Sequence, residues 1–287
     1  MITAKSRNSY EDGYITLKMR DINRSTTKIV GVLNATPDSF SDGGKFCSTE
    51  VAVAYAKEMI LVGADIVDIG GESTRPGSQP VSADVELGRI LSICKALAPN
   101  CRVSVDTYKA SVAEACLASG AVMINDVSAL RADPEMVSVA KNHNCEIVLM
   151  HSASDGPLPH APQKNVRTYK DVVTEIAQFL LLRAEFALSK GVAADKIILD
   201  PGCGTFISSN PDHSWQLLRE MGRFVEAVRP FPVYIGVSRK GFLGGELTHR
   251  DPISQLVAVA AVEKGASYVR THNPGMMSAF LDATARL

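Results

Sequence analysis

The sequence predicts a single (β/α)8 barrel of the TIM type, on three observations. From Lys28 onward, eight short β-branched runs alternate with eight longer helical patterns. Most of the runs lack polar alternation, as strands covered on both faces do. Three connections are long, and all of these lie on the strand-to-helix side.

The strand runs fall at 29–33, 66–70, 102–105, 122–125, 146–150, 197–199, 233–237 and 268–271. Helical patterns fill 49–62, 83–98, 109–117, 134–142, 171–190, 212–228, 252–263 and 276–286. Gly63, Gly120, Gly191 and Gly265 each come just after a helix and before the next strand, where the chain needs a left-handed stop. Strict alternation implies right-handed crossovers and a parallel sheet. Eight such units close a barrel more naturally than they build an open doubly wound sheet, and no G-x-G-x-x-G follows the first strand. The long connections, 34–48, 71–82 and 151–170, then gather on the face where barrels carry catalytic residues.

The 287 residues suit one large barrel or two modest domains, and the alternation decides for one. With 46% hydrophobic and 21% charged residues the chain has ample material for a core. Thirty basic side chains against thirty-one acidic ones leave no overall field to draw nucleic acid or an anionic membrane, so any anion site must be local. The six cysteines are scattered without a C-x-x-C pair, which speaks against zinc and disulfides alike. Residues 1–27 are polar and of mixed charge, without the apolar stretch of a signal peptide, and no run approaches the roughly 20 apolar residues of a membrane span. A reduced, cytoplasmic protein is expected, with a partly disordered extension at 1–27 and a catalytic barrel at 28–287.

Polar residues accumulate at the C-terminal ends of the runs: Asn34, Asp68, Glu72, Asp106, Asn125, Asp126, His151, Asp200, Ser238, Arg239, Lys240, Arg270 and His272. A single Asp at a strand end more often caps a helix or satisfies a loop amide. Recurrence at the end of run after run points instead to a site. Asp106, Asn125 and Asp200 can converge on the barrel mouth with several acceptors and one amide donor. That inventory fits a flat heterocycle with adjacent N–H donors and a carbonyl, such as a 2-amino-4-oxopteridine, since a carboxylate takes two parallel N–H bonds from such an edge. Lys240 could donate to the ring carbonyl or its neighbouring nitrogen.

Asn34, Ser73, Thr74, Arg75, Arg270 and His272 form a second, cationic or hydroxylic group. Arg270 and His272 are two apart, share a side, and together can receive a doubly charged phosphate. Asn34 offers a neutral oxygen to magnesium, an ion held by few protein ligands plus phosphate oxygens. Arg75 and Arg239 could equally be structural ion pairs.

The segments that carry these residues resemble the dihydropteroate synthase family. NATPDSFSDGG at 34–44 is similar to the family's first-strand loop, and GGESTRPG at 70–77 to its second. VSVDT at 103–107, IND at 124–126, LMH at 149–151, LDPG at 199–202 and SRK at 238–240 follow in the family's order. The resemblance implies condensation of 6-hydroxymethyl-7,8-dihydropterin diphosphate with 4-aminobenzoate, a step of folate biosynthesis. Asp106, Asn125, Asp200 and Lys240 would hold the pterin, with Met150 packed on its ring. Asn34, Thr74, Arg75, Arg270 and His272 would take the diphosphate and magnesium. Phe40, Ser73, Pro76 and Ser238 would border the aminobenzoate pocket, and a homodimer through barrel helices is implied. Alternatives are a pterin-binding methyltransferase and a pterin-binding barrel without turnover.

Three features depart from the common family pattern. After Gly202 the chain reads CGTFIS at 203–208, without the glycine-rich turn ending in lysine. HSASDG at 151–156 lacks the second methionine, and strand eight leads into VRTHNP at 269–274. These features resemble the sulfonamide-insensitive Sul-type branch, and reduced sulfonamide sensitivity is the expectation they carry.

Overall fold

The computed structural model describes residues 27–36, 49–75, 77–153 and 164–287. Its strands are β1 (Lys28–Asn34), β2 (Ile66–Gly70), β3 (Arg102–Asp106), β4 (Met123–Asp126), β5 (Glu146–Met150), β6 (Ile197–Asp200), β7 (Tyr234–Ile235) and β8 (Tyr268–Thr271). They pair in parallel in the order β6-β5-β4-β3-β2-β1-β8-β7. The ring closes between β6 and β7, where Leu199 and Val233 form a parallel bridge and Leu199 N donates to Pro232 O at 3.0 Å. The fold is therefore the (β/α)8 barrel, with no sheet edge left to manage.

Helices cover the outside: α1 (Thr49–Leu61), α2 (Ala83–Leu97), α3 (Ala110–Ala118), α4 (Met136–His143), α5 (Val172–Ser189), α6 (Pro211–Arg219), α7 (Met221–Ala227), α8 (Leu247–Glu263) and α9 (Pro274–Thr284). Side chains cap several starts. Ser82 accepts from Val85 N, Asp171 from Val173 N and Thr174 N, and Asn273 from Met276 N. The four glycines expected as helix stops all have positive φ, between 91° and 114°. No described helix is long and apolar enough to cross a membrane.

Two helical expectations need correction. The pattern at 212–228 forms two helices, because the chain leaves helical geometry at Glu220 (φ −99°, ψ 19°). There Lys264 Nζ takes the freed carbonyls of Leu218 and Arg219, each at 3.1 Å, so the break leaves neither unsatisfied. Helix α8 starts at Leu247 rather than 252 and encloses Pro252. Lying in the second turn, the proline has no N–H for the Thr248 carbonyl, so the helix forgoes one backbone bond there.

Alternation by two builds the barrel interior. Val30, Ile66, Met123, Val148, Ile198 and Tyr234 form a closed apolar plug. Below it Tyr268 packs against the plug, and Arg102 pairs with Glu146 at 2.6 Å. The intervening strand residues face the helices, where Ile29, Leu33, Val67, Ile69, Val103, Ile124, Ile147 and Leu199 are buried in the main core. Full burial of such a side chain contributes about 1.5–3 kcal/mol.

Candidate active site

Two residues farther along, five of the strands put a charged or amide side chain at the mouth. Ile66 gives way to Asp68, Ser104 to Asp106, Met123 to Asn125, Ile198 to Asp200 and Tyr268 to Arg270. The same alternation lifts Val148 to Met150 and Tyr234 to Gly236 and then Ser238. A dry floor thus carries a polar mouth. The pocket there has a cavity volume of about 80 Å³ and is lined by Val32, Thr74, Asp106, Asn125, Val127, Met150, Asp200, Phe206, Gly236, Ser238, Lys240, Arg270 and His272.

Nine sequence-derived candidates meet in this lining: Thr74, Asp106, Asn125, Met150, Asp200, Ser238, Lys240, Arg270 and His272. Asn34, at the end of β1, and Ser73 and Arg75, on the loop after β2, lie outside the lining. Ser73 Oγ accepts from Arg75 N at 3.4 Å, and its carbonyl accepts from Ser78 Oγ at 2.6 Å. Phe40 and Pro76 lie outside the described residues, as do residues 1–26 of the extension expected at 1–27.

The site is organised around a carboxylate that the sequence reading left without a role. Fully buried Asp68 accepts at Oδ2 from Arg270 Nε at 2.6 Å and from Asn125 Nδ2 at 3.0 Å. Arg270 Nη2 then reaches Asp106 Oδ2 at 2.7 Å. Asp200 Oδ1 accepts from Gly202 N at 2.7 Å, leaving its other oxygen for the pocket. Lys240 Nζ donates to Cys203 O at 3.0 Å and lies 5.1 Å from the centre of the Phe206 ring. The 203–208 turn therefore offers this lysine a carbonyl and an aromatic face, with no second cation.

Burial sets the electrostatics. It pushes Asp106 up to about 7 against the pull of Arg270, with Asp68, Glu86 and Asp126 adding to the rise. Burial likewise lifts Asp200 to about 6, opposed by Lys240, the Gly202 N–H and Arg270. It lowers Lys240 in turn, and Arg270 lowers it further, while Cys203 and Asp200 hold it up. His272 falls to about 3 through burial and the charges of Arg270, Arg239 and Arg75, against Asp251. The imidazole is thus held neutral beside three guanidinium groups, of which Arg270 and Arg239 already pair with carboxylates. Its Nδ1 is 2.9 Å from Ser238 Oγ, which orients the ring.

Other strand-end residues serve the frame. Asp126 accepts from Ser128 N and Leu130 N at 2.8 and 2.6 Å, which holds a turn with Ala129 and Leu130 at positive φ. Arg239 forms a bidentate pair with Asp251 at 2.7 and 2.8 Å, the structural alternative raised for it. His151 is buried and held neutral. Besides Asp68, the lining residues Val32, Val127, Phe206 and Gly236 were not anticipated as site residues. Period-two spacing from Ile66 would have placed Asp68 inside the barrel, but no local pattern marks Phe206.

Residues 30–272 match the family model described as pterin binding enzyme. The chain is 42% identical over 255 residues to dihydropteroate synthase from Staphylococcus haemolyticus, covering 86% of this chain and 90% of the relative. It is 39% identical over 259 residues to dihydropteroate synthase from a Synechocystis strain, covering 88% and 87%. Among solved structures, Xanthomonas albilineans dihydropteroate synthase with 4-aminobenzoic acid superposes with a TM-score of 0.82 at 35% identity, over 91% of this chain and 92% of that one.

Proposed function

Because the chain belongs to the pterin binding enzyme family, we infer that it is a dihydropteroate synthase: it condenses 6-hydroxymethyl-7,8-dihydropterin diphosphate with 4-aminobenzoate to give 7,8-dihydropteroate and pyrophosphate. The observation that carries this is the convergence of Asp106, Asn125, Asp200 and Lys240 in one pocket whose rim holds Arg270 and His272. Dihydropteroate formed with both substrates, and absent when either is left out, is the test; no product from the complete mixture would refute the reading.

In this account Asp200 and Asn125 grip the amino-oxo edge of the ring, Met150 and Phe206 pack on its faces, and Lys240 donates to the ring carbonyl side. Asp106 joins them once Arg270 turns toward the diphosphate, while Asp68 keeps its hold on the arginine. Thr74, Arg75 and His272 receive the phosphate oxygens. Loss of pyrophosphate leaves a cation that the electron-rich pterin delocalises, and the neutral aniline nitrogen attacks it. No protein nucleophile is needed, so binding, orientation and charge neutralisation supply the catalysis. Ser238, Ser73, Phe40 and Pro76 border the aminobenzoate.

Magnesium fits this donor set. Asn34 Oδ1 stands 3.9 Å from where a Cβ at Gly70 would lie, a neutral oxygen at the barrel rim, and Mg²⁺ needs few protein ligands when phosphate supplies the others. Asn34 would hold the ion, which would neutralise charge on the departing diphosphate. The five described cysteines are free thiols, in keeping with a cytoplasmic location for the 28–287 domain. The half-exposed Leu247, Ile253 and Leu256 of α8 support a homodimer through barrel helices. Reduced sulfonamide sensitivity rests on the 203–208 turn, where Phe206 lines the pocket and Lys240 stands alone. In side-by-side assays with the Staphylococcus haemolyticus relative, an inhibition constant no weaker than that enzyme's removes this last point.

A further inference from the structure

The loop that follows β2 leaves the barrel at Gly71 and rejoins regular structure at Ser82, the cap of α2. Thr74, on this loop, lines the pocket, and the charge of Arg75 acts on His272. What fixes the loop lies behind it, outside the pocket. Glu72, with a side chain 3% exposed, and Glu86 of α2, 1% exposed, are two carboxylates in an almost dry space. Lys109 at the start of α3 serves both: its Nζ pairs with Glu72 Oε2 and, at 2.6 Å, with Glu86 Oε2.

The same Glu72 oxygen accepts from Val81 N at 3.2 Å, so one carboxylate ties the beginning of the loop to its end. Its other oxygen accepts from Tyr108 OH at 2.7 Å, and Tyr108 packs with the pocket residues Val127 and Met150. The root of the loop is seated flush on α2: a Cβ at Gly71 would come within 2.9 Å of Ile90 and 3.0 Å of Glu86, and Arg89 Nη1 donates to Gly71 O at 2.6 Å.

We propose that Lys109 is a positioning residue, which through Glu72 and Glu86 holds the 71–82 loop so that Thr74 and Arg75 face the tail of the bound substrate. This rests on the synthase reading for what the loop does, though not for how it is held. Two buried carboxylates without the cation they share repel each other. That repulsion moves Glu72 away from Val81, and the tie across the loop is lost. The ring-gripping residues come from β3, β4, β6 and the segment after β7, and are left in place.

The test uses the full chain with Lys109→Met, Lys109→Arg and Tyr108→Phe. Two quantities separate positioning from general damage: the Kd for 6-hydroxymethyl-7,8-dihydropterin, which has the ring and no diphosphate, and kcat/KM for pyrophosphate release. Lys109→Met should cut kcat/KM by roughly tenfold or more while the ring Kd stays within about twofold, and Lys109→Arg should recover to within about threefold. Equal losses in both quantities, or turnover unchanged in folded Lys109→Met, would overturn the proposal. If Lys109→Met does not fold, Tyr108→Phe decides: about threefold slower turnover at unchanged ring affinity supports the clamp, and unaltered turnover refutes it. If the unmodified chain releases no pyrophosphate, the synthase reading falls, and hydrogen exchange across 72–82 judges the loop. It should quicken about fivefold or more in Lys109→Met, or in Tyr108→Phe should that variant alone fold, and an unchanged rate overturns the clamp.

Discussion

The Arg270 guanidinium and the Asp106 carboxylate are joined at 2.7 Å across the barrel mouth, although one is assigned to an anion and the other to a ring N–H. The pair protects two buried charges while the pocket is empty. Asp68 behind it keeps the arginine in place when Asp106 changes partner. On the proposed roles, ring and tail would be coupled, each freeing the residue that the other needs.

Asp106→Asn keeps the shape and removes the charge. It should lower kcat/KM for pyrophosphate release at least about tenfold, or ~1.4 kcal/mol of transition-state binding. Steady-state assays check this, and unchanged activity would remove Asp106 from its role.

The pH profile follows from the two raised carboxyls. Both must be ionised to accept N–H donors, and in the free protein they titrate at about 7 (Asp106) and about 6 (Asp200). kcat/KM should therefore fall as pH drops through 7 and steepen through 6, with the upper step missing in Asp106→Asn. A profile flat down to pH ~5 would contradict these assignments.

Lys240→Ala leaves Asp200 without its main opposing charge. kcat/KM should fall at least about tenfold, and the step belonging to Asp200 should move to higher pH. A loss with no movement of that step would separate Lys240 from Asp200.

His272 is neutral in the free protein, and a diphosphate beside it must raise its proton affinity. Calorimetry at pH ~6.5 in buffers of different ionisation enthalpy should show proton release with the alcohol, as Asp106 and Asp200 ionise, and a smaller net release with the pterin diphosphate. His272→Gln should abolish that difference and weaken binding of the diphosphate alone. Equal weakening of both ligands would argue against an anion role.

Tyr234 tests the floor. Its hydroxyl is buried without a partner, so Tyr234→Phe should leave the melting temperature unchanged or raise stability by about 1 kcal/mol. A clear loss would mean that the hydroxyl is satisfied after all.

Strand and helix alternation made the barrel legible, because period-two and period-3.6 patterns are local. Glu220 was not legible: its helix break depends on Lys264, distant in sequence, taking the freed carbonyls. In the pocket, residues at strand ends could be read one strand at a time, as Asp106, Asn125 and Asp200 were. Asp68 was visible as a polar strand residue, yet its hold on Arg270 spans 202 positions and exists only in the closed barrel. Phe206 lies in a turn without periodicity, so nothing in the sequence pointed it toward Lys240.

The most direct test is a crystal structure of the chain with the pterin diphosphate and a non-reacting analogue of 4-aminobenzoate. The account predicts the ring edge on Asp106, Asn125 and Asp200, the phosphates against His272 and Arg270, and Arg270 Nη2 withdrawn from Asp106 while Nε stays on Asp68. A ring bound elsewhere, or a bound ring with the Arg270–Asp106 pair intact, would contradict it.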